Sequence, residues 1–150
     1  MPSLTSGSVV AGTTSMTSVD SNVIFAAVAQ RETHHPVAVQ WLRDVAADGP
    51  VFVSPVVYAE LMASTRPEAF RDFLALARIS VAWTMPSEVW ALAGRTFGDY
   101  ARQRRSGNLP RRLIADFLIA AHAAHHGLRV LTFDRTVYDA MFPDLLVTPR

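Results

Sequence analysis

Four acidic residues sit among apolar neighbours: Asp20 in VDSNVI, Glu60 in VVYAEL, Asp116 in IADFLIAAHA and Asp134 in LTFDR. An ionised carboxylate facing an interior is costly unless something positive neutralises it. Steps of about 100° per residue around a helix place Asp116 beside Ile119, Ala120 and Ala123, pointing inward. The same count puts Glu60 between Val56 and Val57, in a helix with little polar face to offer. Asp20 stands at a strand-to-helix junction, where Asp, Ser and Asn also serve as ordinary helix caps. Asp134 ends a strand, at the carboxyl edge where open α/β sheets build their sites. Crowded carboxylates must take up protons or bind cations, and oxygen-only ligands suit Mg²⁺ or Mn²⁺ rather than zinc. One or two such ions activate a water and stabilise a leaving oxygen, the chemistry of phosphodiester hydrolysis. Thr132 could orient that water through its hydroxyl, or serve only as a good strand former; Asn22 is placed to brace Asp20.

These residues are far apart in sequence, so the elements between them must bring them together. Strands are expected at 17–20, 51–53, 79–83 and 130–133, with a closing edge strand at 145–147. Helices are expected at 23–29 and 36–47, from Ser54-Pro55 through VVYAELMAS, at 67–77, 86–105 and 110–126, and briefly after Val137. Strands separated by helices indicate an α/β domain, a parallel sheet covered on both faces. Right-handed crossovers and short loops then put the carboxyl ends of the strands on one edge, where all four acids can converge.

Between Ala101 and Arg112 lie Arg102, Arg104, Arg105, Arg111 and Arg112 with no acid among them, interrupted by Ser106-Gly107-Asn108. Such a run is either a solvated loop or a surface that contacts phosphates, and it abuts the helix bearing Asp116. His122, His125 and His126 have i, i+3, i+4 spacing, which suits zinc, but nothing nearby supplies a fourth ligand. They are expected on an exposed or partner-facing side of that helix, away from Asp116. The adjacent His34 and His35 read as surface loop.

A chain of 150 residues, half of them hydrophobic, is long enough to bury one core without disulfides or structural metals. The absence of cysteine excludes thiol nucleophiles and thiolate zinc sites. All 14 basic residues are arginine, so there is no P-loop lysine, no Schiff base and no ammonium beside a phosphorylated aspartate. A net charge of +1 means that any basic surface is local. No apolar run approaches the roughly 20 residues of a membrane span. Residues 1–15 lack the pattern of a secretory signal and read as a flexible tail before a folded domain at 16–150, with Met16 an alternative start and the cytoplasm the expected location.

Taken together in order, the four acidic motifs resemble those of PIN-domain ribonucleases, in particular the VapC-type toxins of bacterial toxin–antitoxin pairs. The resemblance runs from Met16 to Thr148 and includes the ending FPDLLVTP. It implies a three-layer α/β/α PIN-like fold with a mainly parallel central sheet of four to five strands. It implies Mg²⁺- or Mn²⁺-dependent endonucleolytic cleavage of RNA, a homodimer, and inhibition by a cognate VapB-like antitoxin whose tail enters the acidic groove. Asp20, Glu60, Asp116 and Asp134 match the metal-binding acidic positions, and Thr132 matches the frequent hydroxyl before the last. The alternative is a catalytically silent PIN-like module that binds RNA or protein, although an idle site would gain stability by losing some of its charges. A phosphoryl-accepting receiver would need a lysine, and a phosphatase with an aspartate nucleophile would show Asp-x-Asp where this chain has Asp20-Ser21-Asn22.

Overall fold

The computed structural model describes residues 15–147. Four short strands, β1 (Thr17–Val19), β2 (Val51–Val53), β3 (Ile79–Val81) and β4 (Arg129–Leu131), form one parallel sheet in the order β3-β2-β1-β4. Seven helices connect them: α1 (Ser21–Val28), α2 (His35–Asp48), α3 (Pro55–Met62), α4 (Pro67–Leu76), α5 (Ser87–Ser106), α6 (Ile114–His126) and α7 (Thr136–Met141). Local chemistry sets several boundaries. Ser54 caps α3 by accepting the Val57 N–H at 3.1 Å, with Pro55 at the first helical position. Gly127 ends α6 in the left-handed region at φ 66°, where a side chain would be strained.

Alternation along the strands makes the fold three-layered. Val51 and Val53 join Val19 in the core shared with α1 to α4, whereas Phe52 and Val130 face the core formed with α6 and α7. Helices therefore cover both faces of the sheet, as the sequence pattern predicts. The chain leaves β1 toward β2 and β3 on one side and returns to β4 on the other. The β1/β4 boundary is thus a topological switch point, where a crevice opens beyond the strand ends.

Several expected boundaries move. Helix α6 begins at Ile114 rather than Pro110, because the Asp116 carboxylate accepts the Leu113 N–H at 3.3 Å and closes the first turn there. Strand β4 stops at Leu131, so Asp134 lies in the loop leading to α7 instead of ending a strand. The expected edge strand at 145–147 is reduced to a single parallel bridge between Val130 and Leu146, because Pro143–Leu145 coils into a 3₁₀ turn. Residues 1–14 of the expected tail lie outside the described residues. Among the described residues, no helix is long and apolar enough to cross a membrane.

Candidate active site

Asp20 follows the central strand and is anchored at three points. Its N–H donates to the Leu131 carbonyl at 2.9 Å, tying β1 to β4 at the crevice. Its Oδ1 accepts the Ser21 N–H at 2.8 Å, capping α1, and its Oδ2 accepts the Thr132 hydroxyl at 2.8 Å. Thr132 Oγ1 in turn accepts the Asn22 amide at 3.2 Å and the Asp134 N–H at 3.0 Å. Asn22 Oδ1 accepts the Phe133 N–H at 3.3 Å. Asn22 therefore does not brace Asp20 directly: it braces Thr132 and Phe133, and the Thr132 hydroxyl makes its shorter bond to Asp20, with the Asp134 carbonyl as a second acceptor at 3.3 Å. One network joins Asp20 to Asp134 across 114 positions of sequence because their strands are neighbours.

Helices α3 and α6 bring the other two acids within electrostatic reach. Burial pushes the Asp20 carboxyl up to about 6; the charges of Glu60 and Asp116 add to this, against the Thr132 hydroxyl and the Ser21 N–H. Burial also raises Glu60, opposed by the nearby Ser21 hydroxyl and reinforced by Asp116. Glu60 Oε1 is buried and has no hydrogen-bond partner among the described residues. Burial raises Asp116 as well, with the Leu113 N–H and Arg112 lowering it and Asp134 raising it. Behind the crevice stands Tyr138, 2 % exposed, its hydroxyl without a partner among the described residues. Burial and then the charges of Asp20, Asp116 and Asp134 hold that phenol well above its usual range.

Asp134 behaves differently. Burial works upward on it, but the Thr136 N–H at 3.0 Å, the Thr136 hydroxyl and Arg112 together hold it below the usual carboxylate range. Arg112 Nε and Nη2 both lie 3.0 Å from Asp134 Oδ2, and Nη2 also donates to Thr136 Oγ1 at 3.3 Å. Sequence reasoning did not single out Thr136. The signal was a hydroxyl residue two positions after an aspartate, the spacing of an Asx turn.

The donor set fits a hard divalent cation: oxygen atoms only, an orphaned buried carboxylate oxygen and three carboxylates at raised pKa. Among the described residues, no three His, Asp or Glu side chains yet stand in a ligating cluster. One of the four, Asp134, is paired with Arg112.

The five arginines divide. Arg104, Arg111 and Arg112 line a cavity of about 340 Å³ with Phe97, Tyr100 and Leu113 beside the start of α6. Arg102 instead pairs with Asp99 on its own helix, and Arg105 is exposed outside the cavity. The expected histidine face is corrected. Helix α6 packs against α5 and also touches α3, β4 and α7, so its middle is enclosed. His122 is fully buried with Nε2 2.8 Å from the Ala82 carbonyl, and His126 Nε2 lies 2.7 Å from Thr84 O; only His125 is exposed. These rings satisfy the chain leaving β3. His34 is exposed as expected, but His35 opens α2 and its Nδ1 contacts the Ala26 carbonyl at 2.9 Å.

Comparison with known proteins agrees with this architecture. VapBC2 from Rickettsia felis, solved bound to a DNA fragment from its promoter, superposes with a TM-score of 0.61 at 17% identity, covering 89% of this chain and 97% of that one. A toxin–antitoxin complex from Klebsiella pneumoniae gives 0.61 at 16% identity, with 89% and 98% covered. Mycobacterium tuberculosis VapC20, described as a sarcin-ricin loop cleaving toxin, gives 0.58 at 17% identity, with 84% and 95% covered. No curated protein matches the chain in sequence. The sequence profile of the PIN domain matches residues 18–142, spanning β1, the acidic crevice and α7, and on that match the chain belongs to the PIN-domain family.

Proposed function

We propose that this chain is a Mg²⁺- or Mn²⁺-dependent endoribonuclease acting as the toxin of a toxin–antitoxin pair, with residues 16–150 as the nuclease domain. Asp20, Glu60, Asp116 and Asp134 would hold the cation. When bound, a divalent ion supplies a polarised water and screens the charge that develops on the phosphodiester. The chain's own residues do the rest. Thr132 and Asn22 hold Asp20 at a single angle, so its carboxylate is aimed before a ligand arrives. The Asp116 carboxylate is steadied by the Leu113 N–H at the mouth of α6. Arg104, Arg111 and Arg112 offer guanidinium groups to phosphates on one side of the acids, with Arg102 and Arg105 further out.

The observation that carries this reading is the set Asp20, Glu60 and Asp116, three carboxylates on separate elements that burial raises together, with the buried Glu60 Oε1 left without a hydrogen-bond partner among the described residues. An interior arrangement of this kind is retained at a cost to stability, and a cation removes the cost. The structural neighbours add a partner: the R. felis and K. pneumoniae relatives were crystallised as toxin–antitoxin complexes, and a VapB-like antitoxin and a homodimer belong to the same proposal here. Purified protein incubated with RNA should cleave it in Mg²⁺ or Mn²⁺ and not in EDTA. Asp116→Asn should abolish cleavage while leaving the circular dichroism spectrum intact. Equal cleavage in chelator would overturn the proposal, and RNA binding without cleavage would point to a silent module.

A further inference from the structure

A second cavity, of about 640 Å³, opens on the other side of the acidic crevice and shares a wall with it. The shared residues are Asn22 and Phe133, joined by the 3.3 Å bond from the Phe133 N–H to Asn22 Oδ1. From there the cleft runs between α1 and the α3–α4 connection: Phe25 and Ala29 continue the Asn22 face of α1, and Ser64 and Arg66 lie past the end of α3, before α4. Phe25, His34, Phe70 and Phe133 set rings into walls otherwise built mostly of small residues. Phe25 meets Phe70 edge-on at 5.0 Å, and Phe133 lies between His34 at 5.0 Å and Trp41 at 4.8 Å. Glu32 and Arg66 complete the lining, one acid and one base.

We infer that this cleft receives a single unstacked nucleobase of the RNA strand, from the nucleotide next to the scissile phosphate. The inference rests on the nuclease reading and extends it to base selection. A strand whose phosphate lies at Asp20 has its neighbouring base next to the Asn22–Phe133 wall, since the Thr132 hydroxyl is bonded to both Asp20 and Asn22. Flat rings suit the face of a base, and a donor from Arg66 with an acceptor from Glu32 suits its edge. The two charges cancel, which gives no net attraction for an acidic or basic peptide tail, whereas a base needs only the hydrogen-bonding edge.

The Trp41–Phe133 contact provides the readout. In EDTA, where no cleavage occurs, the tryptophan emission of the full chain is titrated with AMP, GMP, CMP and UMP, with ribose 5-phosphate as the base-free control and Trp41→Phe to identify the signal. At least one nucleotide should give a saturable change that ribose 5-phosphate does not. His34→Ala or Arg66→Ala should weaken it roughly tenfold. With Mn²⁺ and a randomised RNA, Arg66→Ala should change the base found beside the cut. The inference is overturned by nucleotides that leave Trp41 unaffected, by an equal response to ribose 5-phosphate, or by an unaltered cleavage pattern. It is equally overturned if nucleotides fail to bind and hydrogen exchange shows a co-expressed protein covering Glu32 to Arg66. Because nucleotide binding is read in EDTA, its failure leaves the nuclease reading standing, and absent cleavage leaves the base site testable.

Discussion

Arg112 grips Asp134 through two nitrogens, Nε and Nη2, each 3.0 Å from Oδ2. This places a guanidinium against one of the four acids, and it adds to the Thr136 N–H and hydroxyl in making Asp134 the one of the four with a depressed pKa. Arg112 also lines the basic cavity, so the same side chain stands between the acids and the proposed phosphate path. A cation arriving at Asp134 must compete with it.

Replacing Arg112 by Gln should therefore return the Asp134 carboxyl toward its ordinary value, read by NMR titration. Mn²⁺ binding to metal-stripped protein should tighten, by up to about fivefold, the scale of a partly exposed ion pair. RNA binding should weaken at the same time. Unchanged Mn²⁺ affinity would show that the arginine does not compete for Asp134.

The pH dependence of stability has a defined sign. Asp20 sits at about 6 in the folded chain against 3.8 ordinarily. Between those values the folded state keeps a proton that the unfolded state releases, so stability is lost as pH rises and the loss is complete above pH 6. For Asp20 alone it is on the order of 3 kcal/mol. Glu60 and Asp116 shift in the same sense, while Asp134 works oppositely, adding stability as pH climbs through the ordinary carboxylate range. In EDTA, Asp20→Asn should flatten the fall in melting temperature between pH 5 and pH 7.5, and Mn²⁺ should restore stability to the native chain at the higher pH. A native chain whose melting temperature rises steadily across that interval would contradict the assignment.

Thr132 should act through Asp20. Thr132→Val removes the 2.8 Å bond and should lower cleavage by roughly 10- to 100-fold, with Thr132→Ser restoring most of it. Spectroscopic titration separates this from a merely structural effect, because only the valine variant should push Asp20 higher still. Equal cleavage by Thr132→Val and native protein would remove the hydroxyl from the mechanism.

The arginine cavity is tested by salt. Arg104→Ala and Arg111→Ala should each weaken single-stranded RNA binding and reduce the slope of log affinity against log salt by about 0.7, measured by fluorescence anisotropy. Arg102→Ala should change the slope less, because its guanidinium is paired with Asp99. Identical slopes for all three would place the phosphates elsewhere.

Much of this arrangement is written locally. The apolar settings of Asp20, Glu60 and Asp116 expose them as candidates before any coordinates, because a carboxylate among Val, Ile and Ala has no solvated face to turn to. The alternation of strands and helices likewise yields the parallel sheet, since a strand can rejoin a parallel neighbour only through a crossover. The misjudged features are those where a distant element changes the environment. His122 reads as outward-facing by helical angle alone, yet α6 is packed on more than one side and the ring is enclosed against the Ala82 carbonyl. Asp116 closes the α6 start at Leu113, a choice that Pro110 alone could not reveal.

Residue order alone determined which side chains carry the acid, which layers cover the sheet and which edge collects the strand ends, because propensity and periodicity act over a few neighbours. Tertiary structure alone decided that the Thr132 hydroxyl bonds Asp20, that Arg112 holds Asp134 and that Asn22 forms the wall between crevice and cleft. Those pairings span 112, 22 and 111 positions. The Thr132 and Asn22 pairings depend on β1 and β4 lying side by side, a distance in space that no local pattern encodes.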